Sequence, residues 1–115
     1  MAAYVPERGD LVWLDFSPQA GHEQAGRRPG VVLSPRGYNK PSGLALCCPI
    51  THRAKGYPFE VSLPGNAPVN GVVLVDQIRS LDWRERRVEL IGRLDRATVG
   101  ELFARLGPLL DLGSD

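Results

Sequence analysis

Two cysteines are all that this 115-residue chain contains, and they are neighbours, Cys47 and Cys48. Adjacent cysteines make poor structural disulfides and close no useful loop. Set in an apolar run, they read as small buried hydrophobes. The two histidines, His22 and His52, add nothing to them. There is neither a Cys-x-x-Cys nor a His-x-x-x-His pair, so a zinc site has no spacing to rest on. A Walker glycine loop and a Gly-x-Ser-x-Gly elbow are also missing. Scattered acids such as Asp10 and Asp15 do not make a Mg²⁺ cluster. No metal and no cofactor are expected. No apolar run approaches the ~20 residues of a membrane helix, and no basic, apolar signal region opens the chain. With no disulfide framework either, a reducing cytoplasm is the expected location and no membrane partner is expected. The formal net charge, +1, singles out no partner.

Glycine and proline are plentiful, 13 and 10 residues, which favours many turns and short strands. The length suits one domain over residues 1–115, with 43% apolar and 23% charged residues as in ordinary globular chains. Residues 10–16 (DLVWLDF) predict a strand buried on both faces, since Leu11, Val12, Trp13 and Leu14 are all apolar. Residues 17–29 read as a long loop. Further strands are expected at 30–34, 44–50, 59–63 and 72–75, with a sixth candidate at 87–94. Only the tail reads as a helix, capped by Asp95 or by a Thr98–Glu101 box, with Val99, Leu102, Phe103 and Leu106 as its apolar stripe. Gly107-Pro108 should end or kink it. Five or six strands and a terminal helix suggest a small, closed or half-closed β-barrel.

Charge is unevenly spread. Residues 27–59 hold Arg27, Arg28, Arg36, Lys40, Arg53 and Lys55 and no acid. Such a face can steer a polyanion, or it can be a solvated loop face. The stretch GHEQAGRRP crowds His22, Glu23, Gln24, Arg27 and Arg28 between flexible glycines. An imidazole that titrates near neutral pH, a carboxylate and guanidiniums that fit phosphate oxygens could deprotonate a hydroxyl and stabilise charge on a phosphate. On composition alone, a solvated loop with Arg28 paired to Glu23 accounts for it better. Thr51, at the end of the third strand, can donate to a phosphate oxygen or serve as a turn residue. Asp76 and Gln77 can read base edges or shape a turn.

In order, GDLVWLDF, GHEQAGRRPGVVLSP, YNK, CPIT, KGYPFEV and DQIRSLDW resemble the MazF/PemK toxins, nearest the MazF branch, over most of the chain. The resemblance implies an SH3-like β-barrel with a C-terminal helix, assembled as a homodimer. It implies an endoribonuclease that cuts single-stranded RNA without metal, leaving 2′,3′-cyclic phosphate and 5′-hydroxyl ends. Its 2′-hydroxyl gives RNA an internal nucleophile. A MazE-like antitoxin is the implied partner, and operator DNA is reached only through the antitoxin complex.

By the same resemblance Arg28 and Thr51 hold the scissile phosphate, and His22 or Glu23 takes the 2′-hydroxyl proton. Arg28 stabilises charge, because a guanidinium pKa above roughly 12 makes a poor base. Gln24, Arg27, Arg53, Lys55, Asp76 and Gln77 are the implied RNA contacts. Tyr57 and Phe59 are candidate stacking platforms, with Phe59 the better core residue. Trp13 and Trp83 are either antitoxin pockets or core. Where the PemK branch has an arginine two positions before its Asp-Gln pair, this chain has Leu74, which favours Arg28 with Thr51. Two other readings compete: a non-enzymatic gyrase poison of the same barrel, whose Trp-Gly-Ile ending is absent here, and an SH3-like peptide-binding module.

Overall fold

Leu11, Val12 and Leu14 have no solvent exposure, while Trp13 between them is 40% exposed. Such a strand separates two cores, and the fold is organised around it. The structure, a computed structural model, describes residues 3–17 and 26–111. In chain order it has β1 (Asp10–Asp15), β2 (Arg27–Val32), helix α1 (Arg36–Ser42) and β3 (Leu44–Thr51). There follow β4 (Glu60–Ser62), β5 (Val72–Leu74), a 3₁₀ turn (Val75–Gln77), β6 (Arg79–Asp82), β7 (Glu89–Arg93) and α2 (Arg96–Leu109).

The strands form one antiparallel sheet in the order β4-β5-β3-β2-β1-β7. β3 is long enough to have three partners. Besides β2, it pairs with β6 through Leu44–Cys47 and with β5 through Ile50 and Thr51. The sheet therefore curves like a barrel without closing, since β4 and β7 do not pair among the described residues. Leu11, Val31, Cys48, Ile50, Val73 and Leu102 form one core cluster. Val12, Leu14, Phe16, Val32, Cys47, Leu81 and Trp83 form the other. Successive side chains on a strand point to opposite faces, so Cys47 and Cys48 enter different clusters. Burial raises both thiols, Cys48 to about 12 with Asp76 adding to the effect. They are hydrophobes here, as expected.

α2 begins where the Asp95 side chain accepts from the Thr98 N–H at 3.0 Å, which decides between the two caps. Leu102 and Leu106 are its buried contacts with the sheet, and a fully buried leucine contributes about 1.5–3 kcal/mol. Pro108 lies in the last turn, and the helix ends just after it.

Four expectations need correction. α1, β6 and the start of β2 were not expected, and the expected strand 59–63 is only three residues. Residues 36–42 lack an apolar stripe, so periodicity gives no helical signal. Tertiary contacts hold α1 instead. Asn39 is fully buried, donates to the carbonyls of Pro6 (2.9 Å) and Ser34 (3.0 Å), and accepts from the Ser34 hydroxyl (2.6 Å). β2 starts at Arg27 and not Gly30, because pairing with β1 sets Arg27 opposite Asp15. Arg27, Arg28 and Pro29 are thus strand residues.

Candidate functional site

The registers of β2 and β3 bring the two principal candidates together. Gly30 faces Pro49 and Val31 faces Cys48. Arg28 lies two residues before the last pair on β2 and Thr51 two residues after it on β3, so both fall at the same end of the ladder. The Arg28 guanidinium donates to the Ile50 carbonyl at 3.4 Å, which steadies the side chain beside Thr51. Both line a groove of about 820 Å³ at this end of the sheet.

Thr51 is 7% exposed. Its hydroxyl oxygen accepts from the Arg53 N–H at 3.2 Å, and a hydroxyl that accepts still has its hydrogen to donate. Gly71 fixes the backbone beneath it. That residue has φ +127°, and a Cβ there would stand 2.4 Å from the Thr51 carbonyl oxygen. Only glycine fits so close an approach.

The loop of residues 52–59 forms one wall and supplies three positive or titratable groups, His52, Arg53 and Lys55, all exposed. Tyr57 is 59% exposed, with the Lys55 ammonium 5.9 Å from its ring centroid. Phe59 is half-buried, which leaves Tyr57 as the better stacking platform. The opposite wall carries Asp76 and Gln77 on the 3₁₀ turn after β5. Guanidinium, ammonium, hydroxyl, amide and aromatic groups in one open groove suit an extended polyanion with planar bases.

Two of the expected site residues stand elsewhere. Arg27 neighbours Arg28 on β2, so its side chain goes to the opposite face. It pairs there with Glu89 at 2.5 Å and donates to the Arg87 carbonyl at 2.7 Å. Arg27 is therefore reassigned from the groove to the β1–β7 face. Trp83 is 3% exposed, and its indole N–H donates to the Asn39 carbonyl at 2.9 Å. A buried indole offers no surface to a partner, so it belongs to the core. Trp13 does present a face, between Pro29 on β2 and Glu89 on β7. His22, Glu23 and Gln24 lie outside the described residues.

His52 and Glu60 also line the groove, and neither was singled out from the sequence. Adjacency to Thr51 and the KGYPFEV stretch were the available signals. No group of three or more His, Cys, Asp or Glu among the described residues is placed to hold a metal.

A family model described as PemK-like, MazF-like toxin of type II toxin-antitoxin system matches residues 7–110. The endoribonuclease toxin MazF of Escherichia coli (strain K12) is 55% identical over 110 residues, covering 96% of this chain and 98% of that protein. Endoribonuclease PemK of Escherichia coli is 33% identical, over 90% of this chain and 81% of its own. A crystal structure of MazF from Deinococcus radiodurans superposes with TM-score 0.92 at 56% identity, covering 96% of this chain and all of that one. A MazE-MazF complex from the same organism superposes with TM-score 0.87, at the same identity and coverage.

Proposed function

The chain belongs to the PemK-like, MazF-like toxin family of type II toxin-antitoxin systems, and we propose that it is an endoribonuclease whose cutting site is the groove between Arg28 and Lys55. The observation that carries this reading is that Arg28 and Thr51 line one groove, with the Arg28 guanidinium bonded to the carbonyl of Ile50 next to Thr51.

In this reading the Arg28 guanidinium and the Thr51 hydroxyl hold the non-bridging oxygens of one RNA phosphate. The 2′-hydroxyl loses its proton to a base, and its oxygen attacks the adjacent phosphorus. The bond to the 5′-oxygen breaks, leaving a 2′,3′-cyclic phosphate, and the departing oxygen takes up a proton. Arg28 stabilises the charge that grows on the phosphate oxygens as this happens, a contribution commonly worth ~10²–10³ in rate. His22 or Glu23, on the segment before β2, is the base. Arg53 and Lys55 follow the backbone, Tyr57 stacks on a base, and Asp76 with Gln77 reads base edges.

A MazE-like antitoxin is the partner, as in the Deinococcus radiodurans complexes. An acidic peptide would fit the same basic groove, and the exposed Trp13, on the opposite face of β1 and β2, offers a separate aromatic anchor. The active unit is a homodimer, and the working compartment is the cytoplasm, where RNA is available and the buried thiols stay reduced.

The test is incubation of the antitoxin-free protein with a long single-stranded RNA in EDTA, beside Arg28→Ala. Discrete fragments with 2′,3′-cyclic ends, lost in the mutant, are expected. Intact RNA after exposure to folded wild-type protein would overturn the reading.

A further inference from the structure

Glu60, like Asp76, is an acid in a groove whose other groups suit a polyanion. Taken alone it should repel RNA and weaken binding. Its hydrogen bonds point to a different role. One carboxylate oxygen accepts from the Gly56 N–H at 3.0 Å, and the other from the Lys55 N–H at 2.9 Å. The first also lies 3.2 Å from the Lys55 nitrogen. The backbone of Glu60 donates to the Tyr57 carbonyl at 3.1 Å, and Glu60 itself is fixed in β4 opposite Leu74. The carboxylate therefore ties the tip of the exposed loop back to the sheet. Gly56, with φ +75°, makes the turn that aims both N–H groups inward.

We propose that Glu60 is a positioning residue: it latches the β3–β4 loop in the shape that presents Lys55 and Tyr57 to RNA. This rests on the groove being the RNA site. The Arg105 guanidinium donates to the Pro58 carbonyl and secures the far side of the same loop to α2. With the latch in place the loop is ordered before RNA arrives, and binding does not bear the entropy of ordering it. Without it, Lys55 and Tyr57 sit on a loose segment.

The two roles predict opposite signs. If Glu60 only adds negative charge, its removal tightens binding. If it is a latch, removal loosens the loop and weakens binding by roughly tenfold, the scale of re-ordering two side chains. Glu60→Gln keeps the shape but loses the charge and one acceptor. Glu60→Asp keeps the charge but loses the reach, and serves if the Gln variant fails to fold. Three readouts on the full chain decide: hydrogen exchange at the Lys55 and Gly56 amides, affinity for a 2′-O-methyl RNA that lacks the nucleophile, and the single-turnover cleavage rate at saturating RNA. The expected result in both variants is fast exchange at those two amides, protection retained in β1–β2, tenfold weaker binding and an unchanged saturating rate. Unchanged exchange, equal or tighter binding, or a fall in saturating rate at constant affinity would each overturn the proposal. Should the wild type neither bind nor cut RNA, the nuclease reading fails, while amide exchange still judges the latch.

Discussion

Replacing Gly71 by alanine should injure both stability and cleavage, through a clash with the Thr51 carbonyl group. The added Cβ would stand 2.4 Å from the Thr51 carbonyl oxygen and 3.1 Å from its carbonyl carbon. Ordinary contact begins near 3.4 Å, so the end of β3 or the Gly71 backbone must move by about 1 Å. Neither neighbour is a flexible side chain, and φ +127° is itself strained for alanine. Strain of this kind costs about 1–3 kcal/mol. In a domain of this size that lowers Tm by about 5 °C per kcal/mol, a total fall of about 5–15 °C. The functional effect should be disproportionate, because a 1 Å misplacement of a reacting group can cost about 10²-fold in rate. Single-turnover cleavage at saturating RNA, well below the mutant's Tm, measures it. Gly65→Ala is the control, since a Cβ there meets nothing within 4 Å. A Gly71→Ala protein with the wild-type Tm and rate would refute the packing argument. One that loses stability but cuts normally would remove Thr51 from the mechanism.

Arg28→Lys keeps the charge but loses the planar donor fork, so saturating cleavage should fall by about 10²-fold with RNA affinity nearly retained; equal losses in both would make Arg28 a binding residue only. Replacing Arg53 and Lys55 together by glutamine should make the log–log salt dependence of RNA binding shallower by about 1.4, two contacts at about 0.7 each for a single strand; an unchanged slope would place both outside the RNA path. Asn39→Ala strands several buried partners and should lower stability by about 3 kcal/mol, read by thermal melting, with the Trp83 fluorescence perturbed; a shift below about 1 kcal/mol would mean that α1 is held by something else.

Particular residues show how far periodicity could reach. Both faces of β1 are apolar in the sequence, and Leu11 on one and Val12 and Leu14 on the other are buried while Trp13 is exposed; of the expected α2 stripe Leu102 and Leu106 are buried, Val99 is half-buried and Phe103 is exposed. α1 escaped because its stability rests on one asparagine whose partners, Pro6 and Ser34, lie on other segments. β6 escaped because Arg79–Asp82 carries little strand signal and exists as a partner for the first half of β3. Arg27 and Arg28 look equivalent in the chain, yet only one reaches the groove, since strand alternation separates them once β2 is known to begin at Arg27. The two tryptophans look alike too, but one is capped by Asn39 in the core and the other faces solvent.

The sequence by itself determined the family and the β-rich class with a terminal helix, and it put forward Arg28, Thr51 and Lys55 as the candidates for the chemistry. Those follow from residue types, their order and local periodicity. Only the tertiary structure decided that Arg28 and Thr51 share one groove, that Gly71 lies against the Thr51 carbonyl, and that Glu60 grips the Lys55 loop. Each joins segments apart in the chain through a register or a close approach. Such contacts are set by how strands pair in space, and local composition carries no record of them.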